Sequence, residues 1–192
     1  MLPSSKKVLI TAAVSIASIL ATAQSPGKRE SDWRAHVRQE LPLMGHRNWI
    51  AVVDSAYPLQ TSGGIETVDT GDDQLDVVQA VLEDISKSKH VRPVIFTDAE
   101  LKLVPESDAA GITAYRESLS KLLGRIGKGK GEVQNLPHEQ IISKLDDAGK
   151  TFHVLVLKST MTIPYTSVFI RLDCGYWSEE QEKRLRERMG AK

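Results

Sequence analysis

The sequence predicts a single-domain α/β fold with a mainly parallel sheet. Short apolar runs, which are typical of buried strands, alternate along the chain with amphipathic segments that have the spacing of helices. Strands and helices that alternate in this way form layers, with the helices packed on a parallel sheet. The runs with strand character cover residues 49–53, 91–97, 152–157 and 166–172, with a shorter one at 132–135.

Four helices are predicted from the periodicity of apolar residues, one before the first of these strands and three between them. The clearest begins near Asp72, because apolar side chains recur after it at helical spacing. They are Leu75, Val78, Leu82 and Ile85. The glycine-rich segment 127–131 predicts a solvated turn that ends another helix. The segment between 53 and 72 is rich in Ser, Gly and Thr and predicts a loop. The predicted helices cover residues 32–41, about 72 onward, 107–126 and 137–148.

The N-terminus has the features of a secretory signal peptide over residues 1–23. Lys6 and Lys7 precede an uncharged apolar stretch, and the sequence 21–23, Ala-Thr-Ala, has the small-x-small form that signal peptidase cuts. A membrane anchor is the alternative, but the stretch is shorter than the roughly 20 residues that a spanning helix needs. We therefore expect an exported protein, periplasmic or secreted, that is free of the membrane after cleavage.

Composition narrows the classes of function. The 192-residue chain has 25 basic and 25 acidic residues, and this balance gives no support for nucleic-acid binding. Cys174 is the only cysteine, so the fold depends on its apolar core and not on an intrachain disulfide. The length suits one domain over residues 41–177, with a linker and helix at 24–40 before it and a charged helix at 178–192 after it.

Two histidines are the natural acid/base candidates. His46 lies just ahead of the apolar run 49–53, and His138 opens the helix predicted at 137–148. An imidazole has an unperturbed pKa of about 6.5, so it both gives and takes a proton near neutral pH. Asp54 directly follows the first run, and ligands of open α/β sheets bind outside the carboxyl ends of the strands. These positions predict a site for a small molecule.

Three short motifs occur in a fixed order along the chain. Gly45-His46 precedes the first strand and Asp54 follows the histidine by eight residues; then come His138-Glu139-Gln140 and, before the last strand, Tyr165-Thr166-Ser167. Over about residues 41 to 175, this arrangement resembles the ribose pyranase and fucose mutarotase family (RbsD/FucU). Two positions depart from that family. Gln134 stands where the family tends to have a basic residue, and Ser167 stands where Asn is expected.

The resemblance implies a fold, an activity and an assembly. The fold is a three-layer sandwich of the RbsD type, and the activity interconverts cyclic forms of a reducing monosaccharide by opening and reclosing the ring, without a cofactor. His46 is then the general acid/base, and sugar hydroxyls are held by Asp54, His138, Tyr165 and Ser167. A histidine at position 138 is closer to the ribose branch than to the fucose branch. Family members form ring-shaped homo-oligomers, so we expect a homo-oligomer with sites at subunit interfaces.

Each candidate residue also has a structural interpretation. His46 fits a turn residue bonded to backbone, Asp54 fits a cap of the loop after it, and Tyr165 fits packing at the start of a strand. A metal site from His46, Asp54 and His138 is conceivable by residue type, although the closely spaced ligand patterns of common zinc sites are absent. The second functional hypothesis is a non-catalytic exported protein that binds a monosaccharide on the same fold.

The spacing of His46 and Asp54 sets a geometric condition. If a straight strand separates them, eight residues at about 3.3 Å each place them roughly 26 Å apart. A monosaccharide is only a few ångströms across, so one subunit brings both residues to one sugar only if the chain turns back sharply. We therefore expect His46 of one subunit to complete the site of a neighbour.

Overall fold

Six strands form one sheet at the centre of the part of the chain that the structure describes. The computed structural model describes residues 33–126 and 132–190. The strands are β1 (Trp49–Val53), β2 (Ile65–Asp69), β3 (Val91–Asp98), β4 (Glu132–Leu136), β5 (Val154–Lys158) and β6 (Val168–Cys174). Their order in the sheet is β2-β5-β1-β6-β3-β4. Only β6 is antiparallel to its neighbours, so the sheet is mainly parallel, as predicted.

Helices cover both faces of the sheet and make the predicted three-layer sandwich. The helices are α1 (Trp33–Glu40), α2 (Gln74–Lys87), α3 (Ile112–Ile126), α4 (His138–Gly149) and α5 (Glu179–Gly190), with a short 3₁₀ helix at Ala99–Lys102. Side chains of α1, α2 and α3 pack in one apolar core, which includes Trp33, Leu82 and Leu119. Side chains of α4, such as Ile141 and Leu145, pack in a second core on the other face.

The central strand β1 shows why the apolar run 49–53 folds as a strand. All five of its residues are buried, because both faces of the sheet are covered and a strand in that position reads as a continuous apolar run. Alternate side chains enter different cores: Ile50 and Val52 enter the first, and Ala51 and Val53 enter the second. Each buried Val or Ile side chain of this strand contributes about 1.5–3 kcal/mol by leaving water.

An N-cap residue fixes the start of helix α2. Asp73 is the N-cap residue, and its side chain accepts a hydrogen bond from the Leu75 backbone N–H at 2.9 Å, which satisfies one of the free donors of the first turn. Val78, Leu82 and Ile85 are buried as their spacing predicts, whereas Leu75 is only half-buried. The inner position at the start of the helix belongs to a polar residue, Gln74.

The structure differs from the sequence prediction at several elements. Strand β2 lies in the segment predicted as a loop. It is a half-buried edge strand, and it has too few apolar residues to be recognised as a strand from the sequence. Helix α3 starts at Ile112 and not at 107, because the Glu106 carboxylate accepts hydrogen bonds from the backbone N–H groups of Gly111 and Thr113 and holds a turn there. Strands β5 and β6 each begin two residues later than predicted.

Some sequence predictions concern parts of the chain that the structure does not describe. The signal peptide at 1–23, the linker after it and the turn at 127–131 lie outside the described residues. In the described part, no helix has the length and apolar character needed to cross a membrane.

Candidate functional site

Four of the five predicted site residues lie at the carboxyl edge of the sheet. Asp54 follows β1, and His138 follows β4 at the start of α4. Strand β6 runs in the opposite direction, so its beginning reaches the same edge, where Val168 pairs with Val52 and Thr97. The preceding segment brings Tyr165 and Ser167 there as well. The topology thus gathers side chains from three strand ends, as the carboxyl-edge rule predicts.

Asp54 and Ser167 are direct neighbours at this edge. The Ser167 hydroxyl lies 3.3 Å from Oδ2 of Asp54 and donates to it, and the backbone N–H of Ala56 donates to Oδ1 at 2.9 Å. Ser167 is buried and Asp54 is half-buried. The bond between the two side chains is long for a hydroxyl donor, so the hydroxyl of a bound molecule can compete for the same carboxylate oxygen.

His138 is held by a buried carboxylate that the sequence analysis did not identify. Its Nδ1 lies 3.1 Å from Oδ1 of Asp98, the last residue of β3. The side chain of Asp98 is fully buried, whereas 31% of the His138 side chain is exposed. A ring nitrogen bonded to a carboxylate carries the hydrogen, which fixes the tautomer of the neutral ring. Nε2 is then the nitrogen that remains to accept a hydrogen bond from a ligand.

The surroundings of Asp98 disfavour the charged form of its carboxyl. Burial raises the pKa of its carboxyl, His138 acts in the opposite direction, and the nearby carboxylates of Glu100 and Asp54 raise the pKa further. Its second oxygen, Oδ2, is buried with no hydrogen-bond partner in the described part of the chain. An unpaired buried polar atom is costly, and shifted pKa values such as that of Asp98 cluster at functional sites.

Glu100 positions the helix that carries His138. Both of its carboxylate oxygens lie 3.1 Å from the backbone N–H of His138 and accept from it. The residue at the N-cap position of α4, Pro137, has no side-chain capping bond. A carboxylate from the 3₁₀ helix therefore takes the place of a local cap, and its negative charge suits a helix N-terminus.

Tyr165 stands beside the imidazole. Its ring and that of His138 are in an edge-to-face arrangement, with centroids 5.7 Å apart and planes at 83°. Its backbone has a φ of 59°, in the left-handed region that a bulky residue rarely adopts. The residue as a whole is 38% exposed. An exposed aromatic residue held in an unfavourable backbone conformation favours a role in binding over one in packing.

A buried glutamine joins the strand ends that carry these groups. The Gln74 amide donates to the carbonyl oxygens of Val52 and Thr166, both at 3.0 Å, and accepts from the Ser159 hydroxyl. Tyr115 also donates to the Thr166 carbonyl. The network connects β1, β5 and the segment before β6 behind Asp54 and Ser167, and it fixes their relative positions.

Tyr57 follows Asp54 by three residues and donates its backbone N–H to the Asp54 carbonyl at 3.2 Å. Burial raises its pKa to about 12, and the carboxylates of Asp146, Asp54 and Asp98 add to the effect. Its hydroxyl is therefore protonated at neutral pH and acts as a hydrogen-bonding group, not as a base.

His46 lies at the opposite edge of the sheet. It is exposed, in a turn ahead of β1, and the next residue donates a backbone hydrogen bond to the carbonyl of Leu172, near the end of β6. The five residues of β1 span about 16 Å and pair in unbroken register with β5. Within one copy of the chain, His46 therefore does not reach the side chains gathered at the carboxyl edge. The sharp return of the chain that a single-copy site requires is absent from the described residues.

A cavity of about 610 Å³ lies between α3 and strands β3 and β4. It shares only Asp98 with the cluster at the carboxyl edge, and much of its wall is formed by leucines 101, 119 and 123. The rest of the wall is largely polar and includes Thr97, Lys102, Arg116, Ser120 and Asn135. In the described residues, no group of three or more His, Cys, Asp or Glu side chains has the arrangement of a metal site.

Comparison with solved structures tests the fold. RbsD of Bacillus subtilis, solved in complex with D-ribose, superposes with a TM-score of 0.51 at 17% identity, over 72% of this chain and 92% of that one. The chain has the RbsD fold. The fucose mutarotase of Streptococcus pneumoniae, in complex with L-fucose, gives 0.46 at 16% identity over 70% and 89% of the two chains. No protein-family model and no curated protein matches the sequence.

The position of a residue relative to the strand ends explains whether the sequence reveals it as part of the candidate site. Asp98 follows the run predicted at 91–97 just as Asp54 follows the first run, so the carboxyl-edge rule applied to every strand finds it. Glu100 gives no such signal, because it acts on a helix that begins 38 residues later. Gln74 is also hidden, since its two backbone acceptors lie 22 and 92 residues away.

Proposed function

We propose that this chain interconverts the ring forms of a reducing monosaccharide, either pyranose with furanose or one anomer with the other. The observation that carries the proposal is the convergence of Asp54, His138, Tyr165 and Ser167 at one sheet edge. These are the residues that the motif resemblance assigns to the sugar. The RbsD fold supports the proposal at the level of architecture.

The chemistry needs proton transfer and no redox change. To open the ring, a base takes the proton of the anomeric hydroxyl, the protonated base then gives a proton to the ring oxygen, and the bond between the anomeric carbon and the ring oxygen breaks. Closure reverses these steps after the carbonyl has rotated or a different hydroxyl has attacked. A single imidazole both gives and takes protons near neutral pH, and we assign this role to His46.

The groups at the carboxyl edge orient the sugar. Asp54 accepts hydrogen bonds from sugar hydroxyls, and the Ser167 hydroxyl turns from Asp54 to a sugar oxygen. His138, held at Nδ1 by Asp98, accepts a hydroxyl at Nε2. Tyr165 adds a phenol group beside it. Fixing the sugar against the acid/base group lowers the barrier because the reacting atoms no longer have to find one another.

A second copy of the chain supplies the acid/base group. His46 and Asp54 lie at opposite ends of β1, so one sugar contacts both only where two copies meet. We propose a homo-oligomer in which the turn 45–48 of one copy lies over the carboxyl edge of the next. A head-to-tail contact of this kind closes into a ring, which is the assembly that the resemblance implies.

Exchange NMR of reducing sugars tests this function. Saturation of one anomer in the presence of the protein transfers to the other anomer at a rate above that of the sugar alone, and we expect the largest effect with ribose-like sugars. Asp54→Asn abolishes the acceleration. Asp69→Asn is the matched control, because Asp69 ends β2 at the same sheet edge but outside the cluster, and it keeps the full rate. An unaccelerated exchange for every reducing sugar excludes the activity.

A monosaccharide-binding protein without catalysis is the second candidate. It is favoured by the distance between His46 and the cluster within one copy, because the binding groups are complete without the acid/base group. The same NMR experiment separates the two candidates. Saturation that passes from protein to sugar without acceleration of anomer exchange identifies a binding protein.

We also propose that the protein is exported. The support is the signal-peptide pattern of residues 1–23. Expressed with its own N-terminus in a Gram-negative host, the protein is expected in the envelope fraction with a sequence that begins at or near Gln24. An intact Met1 in the cytosol excludes export.

A further inference from the structure

The cavity between α3 and strands β3 and β4 has the size of a small-molecule site. Its volume of about 610 Å³ lies within the range of roughly 300–1,000 Å³ that ligand pockets occupy. One wall is a stripe of α3 at positions 116, 119, 120, 123 and 124, a spacing that follows one side of a helix. The two strands and the 3₁₀ helix form the rest of the lining. Four elements of the fold therefore border one concave space.

A glycine in α3 leaves room in this cavity. Gly124 lies inside the helix Ile112–Ile126 and lines the cavity. Glycine is less favourable than alanine in the interior of a helix, because it loses more conformational freedom on folding. A Cβ placed on Gly124 meets no atom within 4 Å, so packing does not require a glycine there. A ligand that occupies the space accounts for the missing side chain.

The lining has an apolar part and a part rich in hydrogen-bond donors. Leucines 101, 119 and 123 supply the apolar part. In the polar part, the Thr97 hydroxyl donates to the side-chain oxygen of Asn135 at 2.8 Å, so the Asn135 amide has its N–H donors left for a ligand. Ser120 adds a hydroxyl, and Lys102 adds an exposed ammonium group. The ligand that suits both parts has an apolar body and a group of oxygen acceptors.

Charge on the lining favours an anion. Besides Lys102, the lining contains Arg116, whose guanidinium donates to three backbone carbonyls. These acceptors are neutral, so the positive charge stays uncompensated by them. The Glu106 carboxylate interacts with this charge from outside the lining, but it already accepts two backbone N–H groups. Asp98 is the one acid among the described residues of the lining, and its carboxylate is bonded to His138.

We propose that this cavity binds an amphipathic anion, namely a carboxylate with a short apolar chain. The chain packs against the leucines, and the carboxylate accepts hydrogen bonds from Lys102, Ser120 and Asn135. Burial of the chain supplies most of the affinity, and the cations and neutral donors set the preference for an anion. The proposal does not rest on the sugar activity. Helices α3 and α4 pack in different cores on opposite faces of the sheet, and only Asp98 is shared with the sugar cluster.

Titration with simple probes tests the chemistry of the ligand. Octanoate is added to the protein, and the shifts of the backbone amide NMR signals of α3 and β4 are followed. A ligand with so few atoms binds weakly, so we expect a Kd of about 1 mM. Acetate lacks the chain and octylamine has the opposite charge, and each is expected to bind at least about tenfold more weakly. Absence of octanoate binding, or equal Kd values for octanoate and octylamine, overturns the proposal.

Two pairs of variants locate the binding. Gly124→Leu fills the cavity and is expected to abolish octanoate binding. Its matched control is Ser118→Leu, which places the same side chain at an exposed position of α3 outside the lining and keeps the wild-type Kd. Lys102→Gln raises the Kd of octanoate about 2- to 5-fold, whereas Lys121→Gln, at an exposed lysine of α3 outside the lining, leaves it unchanged. Wild-type octanoate binding by Gly124→Leu overturns the proposal.

Thermal unfolding and ring exchange separate this site from other effects. The unfolding midpoint of Gly124→Leu equals or exceeds that of the wild type, because leucine favours a helix more than glycine does. Its rate of sugar-ring exchange is unchanged, since Gly124 lies outside the sugar cluster. Loss of octanoate binding at a normal exchange rate therefore supports the second site. If Gly124→Leu does not fold, the Lys102 pair decides, and equal Kd values for Lys102→Gln and the wild type overturn the proposal.

Discussion

Asp98 Oδ1 lies 3.1 Å from His138 Nδ1, and the two residues end β3 and begin α4, 40 positions apart in the chain. The contact places a fully buried carboxylate behind a partly exposed imidazole. A third residue, Glu100, also holds His138 in place, because its carboxylate accepts a hydrogen bond from the His138 backbone N–H. The position of His138 thus depends on two carboxylates, those of Asp98 and Glu100.

Replacement of Asp98 is expected to raise the stability of the fold and to lower the activity. Burial raises the pKa of this carboxyl in the folded protein, so the native state binds the proton more tightly than the unfolded state. The contribution of this carboxyl to native stability is then greatest at low pH and falls as the pH rises from the unfolded pKa through the higher folded pKa. At neutral pH the ionised carboxylate is destabilising. Asp98→Asn therefore raises the unfolding midpoint at neutral pH. It lowers the rate of ring exchange, because His138 loses the carboxylate that holds its Nδ1–H.

Thermal denaturation at neutral and acidic pH checks this expectation. The advantage of Asp98→Asn over the wild type shrinks as the pH falls, since the wild-type carboxyl becomes protonated as well. Asp147→Asn is a suitable control, because Asp147 is an exposed aspartate on α4 that bonds Lys150, and it gives no such gain. A variant of Asp98 that is less stable than the wild type at neutral pH contradicts the account.

Glu100→Ala is expected to destabilise α4 and to disturb sugar binding. Loss of the capping acceptor costs about 0.5–2 kcal/mol of folding free energy and frees the first turn that carries His138. KM for ring exchange rises more than kcat falls, because His138 positions the sugar. Glu100→Gln retains an acceptor and is expected to recover most of both losses. Urea denaturation and steady-state kinetics measure the two effects; equal behaviour of the Ala and Gln variants contradicts capping.

Gln74→Leu is expected to lower the free energy of unfolding by about 1–3 kcal/mol. The substitution leaves the buried carbonyl of Val52 without its amide donor and leaves the Ser159 hydroxyl without its acceptor on Gln74. Gln79→Leu, at an exposed position of the same helix, changes the value by less than about 0.5 kcal/mol. Urea denaturation provides both values. Similar losses in the two variants rule out a special role for the buried amide.

The architecture was largely predictable from local patterns. A continuous apolar run such as 49–53 specifies a strand covered on both faces, and the spacing of Val78, Leu82 and Ile85 specifies the inner face of α2. Strand β2 escaped prediction because an edge strand needs little apolar surface. The start of α3 was wrong by five residues, because the carboxylate of Glu106 stabilises a turn where propensity alone continues the helix.

The residues of the candidate site were predictable only where they adjoin a strand end at the carboxyl edge of the sheet. Asp54 and Ser167 adjoin strand ends, and the parallel arrangement of the sheet brings such ends together. Partnerships between distant residues, such as Glu100 with the His138 backbone, follow from the packed structure and leave no pattern in the sequence. The placement of His46 at the other edge follows from the strand length, which the sequence does specify.

His46→Ala is expected to reduce the rate of ring exchange by about 10²- to 10⁴-fold, the usual contribution of a general acid/base. Its side chain is exposed, so the free energy of unfolding changes by less than about 0.5 kcal/mol. His36→Ala, on α1, removes a histidine outside the site and is the control for activity. Exchange NMR and urea denaturation measure the two quantities. A His46→Ala variant with the wild-type rate removes this residue from the mechanism.

The central claim is that His46 and Asp54 act on one sugar from different copies of the chain, and subunit mixing tests it most directly. His46→Ala and Asp54→Ala are each inactive, and the exchange rate is measured after the two proteins are mixed in equal amounts and allowed to exchange subunits. At random assembly, about a quarter of the sites receive both intact residues, so about a quarter of the wild-type activity returns. A mixture that stays inactive although subunit exchange is demonstrated shows that each copy contains its own complete site, and contradicts the account.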